Sequence, residues 1–154
     1  MIAVSRLSRS EYAGFDGRGG LYRPGRWHER GHRIVYAAQS EALAALEVLV
    51  HLSSITQMPE YVCVKAEIPG RLILDIRDLG PLPSDWPSAD ANQARRLGAR
   101  WIKEKTSAVL RVPSVVIPRE SNFVLNPEHP DFGRIAVTPP LPFEFDLRLV
   151  TRLH

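Results

Sequence analysis

The stretch Ser40-Glu-Ala-Leu-Ala-Ala-Leu-Glu-Val-Leu-Val-His-Leu52 constrains this chain more than any other segment. From Ala42 onward it reads as a helix that is apolar on every face, a pattern that belongs to an element covered by the rest of the molecule. Ser40 offers the N-cap, and Glu41 suits the positive end of the helix. A chain of 154 residues has material for one such core and little for a second domain, so a single domain over 1–154 is expected. Glu47 stands in the middle of this apolar helix. A carboxylate there costs on the order of several kcal/mol unless it is paired or faces a cleft. Helical spacing brings Ser40, Glu47 and His51 near one another on one face. Two readings follow. Either Glu47 pairs internally with His51 or an arginine, or it is a cleft carboxylate suited to stabilising a cation or polarising a hydroxyl.

Composition removes whole classes of function. Hydrophobic residues at 44% and charged residues at 24% are close to globular averages and exclude wholesale disorder. The net charge of +3 is spread along the chain, which argues against a dedicated nucleic-acid binder. A single cysteine, Cys63, forms neither an internal disulfide nor a Cys-based zinc site, so a reducing compartment is expected. The apolar run over 42–50 is interrupted by Glu47 and falls short of the ~20 residues a membrane span needs. The start Met-Ile-Ala-Val-Ser-Arg shows no signal peptide pattern. The expectation is a cytoplasmic domain.

Local patterns fill in a mixed α/β fold with six to eight short strands and two main helices. Residues 2–6 read as a short edge strand. Residues 13–31 carry six glycines and Pro24, too flexible for an ordinary helix or strand and typical of a functional loop. Strands are expected over 33–37, 61–68 and 72–76, then a Pro-rich loop over 80–88. Asp90 is positioned to cap a second helix with Ala94, Leu97, Trp101 and Ile102 on its apolar face. Residues 109–117 read as a strand bent or bulged at Pro113, followed by strand pieces near 122–125, 134–138 and 144–151.

Three familiar chemistries fail on spacing. Gly17-Arg-Gly-Gly-Leu-Tyr22 has tyrosine where a dinucleotide fingerprint needs its third glycine, and no phosphate-binding Lys-Ser/Thr pair follows. His28, His32, His51, His129 and His154 include no pair at zinc-motif spacing, so no metal site is expected. No Gly-x-Ser-x-Gly elbow occurs. Other residues carry more. Gly25 lets backbone approach a ligand, Arg26 supplies a fork for phosphate, and Trp27 packs beneath it. Tyr36 has the shape to stack on a flat ring or hold a ribose hydroxyl. Ser114 lies in a buried-looking strand where its hydroxyl needs a partner, and Ser121 and Asn122 precede another strand. Each has an ordinary structural reading beside the functional one: a surface ion pair for Arg26, core packing for Tyr36, turn chemistry for the rest.

Taken together, Pro24-Gly-Arg-Trp-His28, Val35-Tyr-Ala-Ala-Gln-Ser40, Ala44-Ala-Leu-Glu-Val-Leu-Val-His51, Val112-Pro-Ser114 and Asn122-Phe-Val-Leu-Asn-Pro-Glu-His-Pro-Asp131 resemble the RES domain family. The match runs in order along nearly the whole chain. Pro24 replaces a glycine of the family pattern and His28 an asparagine. The resemblance implies an ADP-ribosyltransferase-like fold and a bacterial type II toxin acting on NAD as its substrate. It also implies an Xre-type helix-turn-helix antitoxin partner that occludes the active site. Under that resemblance Arg26, Tyr36 and Glu47 are the catalytic set. Glu47 would stabilise an oxocarbenium-like state as the nicotinamide–ribose bond breaks. Arg26 would clamp the pyrophosphate, and Tyr36 would line the nicotinamide side. Trp27, Ser40, His51, Ser114, Ser121 and Asn122 are carried as binding residues, with Ser114 and Ser121 both candidates for the family serine. Hydrolysis, phosphorolysis and ADP-ribosylation of a protein remain open, as does a noncatalytic module should Arg26 point away from the site. No direct nucleic-acid or membrane partner is expected. The apolar strands leave room for a homo-oligomer within the complex.

Overall fold

The computed structural model describes residues 1–52 and 59–153. Among these, eight strands join one sheet: β1 (Ile2–Arg9), β2 (Val35–Ala38), β3 (Tyr61–Ile68), β4 (Ile73–Asp75), β5 (Val109–Pro113), β6 (Ser121–Leu125), β7 (Ala136–Val137) and β8 (Leu141–Phe143). The helices are α1 (Glu41–Leu49), α2 (Asn92–Glu104) and the short α3 (Leu147–Leu153). Strand order is β4-β5-β6-β2-β1-β3-β7, with β8 also on β3. Only β4 and β5 run parallel. The class is mixed α/β, as the patterns indicate.

Alternation along the strands sends side chains to two faces. Val35, Ala37, Val109, Phe123 and Leu125 share one face with Val4, Ala66 and Ile68. Leu110, Val112 and Val124 take the other, beneath Ala94 and Trp101 of α2. Ala38 alternates with Ala37 and packs with Leu43, Ala44 and Ala45 of α1, so both main helices cover the same face. β1 is zipped to β3 from Ile2↔Ile68 to Arg9↔Tyr61 but meets β2 only at Ser5↔Ala38. The two strands separate on either side of that rung, and the candidate site lies beside it, between α1 and the loop that precedes β2.

Several expectations are corrected. Residues 2–6 are not an edge: β1 runs to Arg9 inside the sheet, and its polar positions line a cavity instead of facing solvent. The helix over 40–52 ends at Leu49 and is not covered all round. Ala42, Leu46 and Val50 are exposed, because α1 lies on the outside of the sheet and buries only the face holding Leu43, Ala44, Ala45 and Leu49. The strand over 109–117 stops at Pro113. The 144–151 segment is helical from Leu147, started by Asp146, whose carboxylate accepts from the Arg148 N–H at 2.9 Å.

Asp90 does not cap α2. Asp85 does so from within the Pro-rich loop, accepting from the Gln93 N–H at 2.8 Å and the Ala94 N–H at 3.3 Å. Asp85→Ala is expected to lower unfolding free energy by about 1 kcal/mol, read as a lower urea midpoint at unchanged m. An unshifted midpoint would show that the loop does not hold the helix start. On the inner face of α2, a Cβ on Gly98 would stand 1.6 Å from the Trp27 carbonyl oxygen. Glycine is therefore required where α2 crosses the loop leading to β2.

Candidate active site

The site is assembled from four pieces of chain that are distant in sequence. The Ser40 hydroxyl accepts from the Leu43 N–H at 3.1 Å, fixing the start of α1, and Glu47 then falls on the sheet-ward edge of the helix, half-buried. Its Oε1 accepts from the Ser114 hydroxyl at 2.7 Å and from Asn122 Nδ2 at 2.8 Å. Ser114 is fully buried just beyond β5. The same hydroxyl oxygen accepts from the Val116 and Ile117 N–H groups at 3.1 and 3.0 Å, so the turn that follows β5 holds the serine, and the serine holds the carboxylate. Asn122 lies across from both Ala38 and Val112 in the sheet. Its Oδ1 is buried and has no hydrogen-bond partner among the described residues. Two donors on one carboxylate oxygen are charge-assisted bonds that fix its direction.

Glu47 borders a cavity of about 700 Å³ whose walls also include Arg6, Gly25, Arg26, Trp27, Tyr36, His51 and Asn122. That volume is in the range of small-molecule and cofactor sites. Arg26 is anchored through Nη1 to the carbonyls of Trp86 at 2.5 Å and Ser88 at 2.6 Å. Among the described residues, Arg6, on β1, donates a hydrogen bond only to the Tyr12 carbonyl, at 3.3 Å. Burial pulls its guanidinium below its usual basicity, with Asp16 partly opposing. Among the described residues neither arginine has a carboxylate at ion-pair distance, so the surface ion pair considered for Arg26 is not formed. Two semi-buried cations and a fixed carboxylate lining one cavity suit a ligand that is anionic in one part and becomes cationic in another.

The turn carrying Arg26 is tightly held. The Gly25 N–H donates to the His28 carbonyl at 3.1 Å, and Arg95 Nε donates to the Gly25 carbonyl at 2.9 Å. The Tyr36 hydroxyl accepts from the Trp27 N–H at 3.2 Å and lies 2.7 Å from His28 Nδ1. A Cβ on Gly25 would come within 2.4 Å of that hydroxyl, which explains a glycine there better than ligand approach does. Burial raises the Tyr36 pKa and lowers that of His28, which favours the uncharged form of each.

Among the residues singled out by sequence, Arg26, Trp27, Tyr36, Glu47, His51 and Asn122 are brought to one cavity, and Ser114 stands behind Glu47. Trp27 is a core anchor against Ala94 and Trp101, and Tyr36 turns its hydroxyl into the protein, leaving its ring as cavity wall. Ser40 and Ser121 are not in the site. Ser40 is the helix cap, while Ser121 accepts from Arg111 Nε at 3.0 Å and its N–H donates to Gln39. His51 makes no hydrogen bond to Glu47 among the described residues. Arg6 escaped notice, although an arginine between the apolar Val4 and Leu7 of a strand is itself a signal of an internal polar surface. Among the described residues no group of three or more His, Cys, Asp or Glu stands close enough to hold a metal ion, and His154 lies outside them. No helix among them is long and apolar enough to cross a membrane.

A family model for the RES domain matches residues 3–146. The protein named Toxin Res of Photorhabdus laumondii is 38% identical over 153 residues, covering 97% of both chains. The Prs ADP-ribosylating toxin of a Sphingobium species is 35% identical over 139 residues, covering 88% of this chain and 86% of that one. A chain in the crystal structure of the M. tuberculosis MbcT–MbcA toxin–antitoxin complex superposes with a TM-score of 0.75 at 16% identity. That superposition covers 98% of this chain and 87% of the other and shows a shared fold.

Proposed function

The chain belongs to the RES domain family of toxins, and from that premise we propose that it consumes NAD by breaking the nicotinamide–ribose bond. The observation that carries this reading is Glu47, fixed by Ser114 and Asn122 in the wall of a cavity that also holds Arg6 and Arg26. As the C1′–N bond breaks, nicotinamide leaves with the electron pair and positive charge develops on the ribose. A carboxylate oriented in advance stabilises that charge with no reorganisation at the moment of reaction. Arg6 and Arg26 hold the pyrophosphate. An oxygen nucleophile then bonds to C1′ and loses its proton. Water gives ADP-ribose, and phosphate gives its phosphorylated counterpart. A second reading, transfer of ADP-ribose to a protein, is favoured by the similarity to the Prs ADP-ribosylating toxin.

The partner in this proposal is an Xre-type antitoxin that covers the cavity. The exposed stripe of Ala42 and Leu46 on α1 and of Val50 just past its end supports it, since Val50 also borders the cavity. NAD cleavage is tested on antitoxin-free protein, with and without phosphate and with purified Prs, the acceptor named for the Sphingobium toxin, resolving products by mass. Nicotinamide release is expected, and the mass of the other fragment identifies the acceptor. Arg26→Ala is expected to raise KM for NAD about 10- to 100-fold, as loss of a charged phosphate contact does. No nicotinamide in any arm, from folded protein, would overturn the proposal.

A further inference from the structure

His28 stands where the family pattern has asparagine, yet its ring is buried, with 3% of the residue exposed, and both its nitrogens are engaged. Nε2 lies 3.0 Å from the Arg23 carbonyl, and Nδ1 lies 2.7 Å from the Tyr36 hydroxyl. A carbonyl only accepts, so Nε2 carries the hydrogen. In the neutral ring Nδ1 is then an acceptor, and the Tyr36 hydroxyl must be its donor. That hydroxyl in turn accepts from the Trp27 N–H. One continuous chain of donors therefore runs from Trp27 through Tyr36 and His28 to Arg23, spanning both sides of Arg26. The Tyr36 hydroxyl is occupied inside the protein, which removes it as a ribose partner.

We propose that His28 is a positioning residue: by taking the Tyr36 hydroxyl hydrogen it locks the Gly25–His28 turn to β2 and so presents Arg26 to the anionic part of the substrate. The substrate identity rests on the NAD reading above; the hydrogen-bond assignment does not. Asparagine places an amide oxygen where Nδ1 stands, so His28→Asn preserves the acceptor, whereas His28→Leu removes it.

Two experiments decide the matter. Nitrogen-15 NMR of the histidine side chains, with His28 assigned by its loss in His28→Asn, is expected to show the neutral Nε2–H form at pH 7. The Nδ1–H form or an imidazolium at that pH overturns the proposal, whether or not NAD is turned over. In steady-state kinetics, His28→Leu and Tyr36→Phe are each expected to raise KM for NAD about tenfold with kcat within about twofold. The double variant should match either single one, and His28→Asn should recover most of the loss. Additive effects, or an asparagine variant no better than leucine, count against it. Tyr36→Phe removes a single oxygen and keeps the kinetic test available if His28→Leu does not fold. Absence of NAD turnover by the wild type would overturn the NAD reading and leave the spectra to judge His28.

Discussion

Glu47→Gln is expected to reduce nicotinamide release from NAD on the order of 10³-fold while leaving the protein folded and at least as stable as the wild type. The substitution is nearly isosteric. A glutamine oxygen still accepts from the Ser114 hydroxyl and from Asn122 Nδ2, the two bonds that now fix Oε1. What disappears is the negative charge, the feature that distinguishes a transition state with a cationic ribose from the ground state, and losses of 10²–10³ or more are usual for such groups. Stability moves the other way. Neutralising a half-buried carboxylate relieves a desolvation cost and leaves its donors satisfied, as happens where a site is kept at some expense to the fold. The checks are product formation at saturating NAD and a urea melt. A variant that kept kcat within tenfold would remove Glu47 from the chemistry. One that lost activity only through unfolding would return it to the structural role weighed from sequence.

How much of this is legible in the sequence depends on whether a residue's partner is local. Glu47 was conspicuous because a charge in an apolar helix contradicts its surroundings. The Ser40 cap was readable because its partner, the Leu43 N–H, is three residues away. The partners of Glu47 are 67 and 75 residues distant; motif order suggested their company, but hydrophobic period did not. Local pattern also made specific errors. Asp90 is of the right type for a cap but stands one residue before the N-cap position, Ala91, and Asp85 reaches α2 because the Pro-rich loop folds back over its start. Residues 2–6 read as a short edge strand, yet β1 runs on to Arg9 inside the sheet, and its polar Arg6 and Ser8 do not face solvent. Here they face a cavity opened by the parting of β1 and β2. Of the readings open for Tyr36, the one that gave its hydroxyl to a ribose yields to packing, since the glycine at 25 admits the loop so closely that the hydroxyl is enclosed.

Ser114→Ala is the substitution expected to damage fold and activity together. One buried oxygen serves three partners: it donates to Glu47 and accepts from the Val116 and Ile117 N–H groups. Alanine leaves those two amides without their acceptor in a half-buried turn and takes one of two donors from the carboxylate. Unsatisfied buried groups cost about 1–3 kcal/mol each, so a loss of about 2–4 kcal/mol is expected, allowing for some relaxation toward water. Asn122 alone then holds Glu47, and a carboxylate free to swing by about 1 Å forfeits on the order of 10²-fold in rate. The loss should fall on kcat, because neither Arg6 nor Arg26 touches Ser114, and KM should change little. Unfolding in urea gives the first quantity, and nicotinamide release well below the melting temperature gives the second. A rise in KM at constant kcat would mean that the serine supports substrate binding rather than the aim of Glu47. That outcome would separate Ser114 from the chemistry, since Glu47→Gln is expected to act on kcat alone.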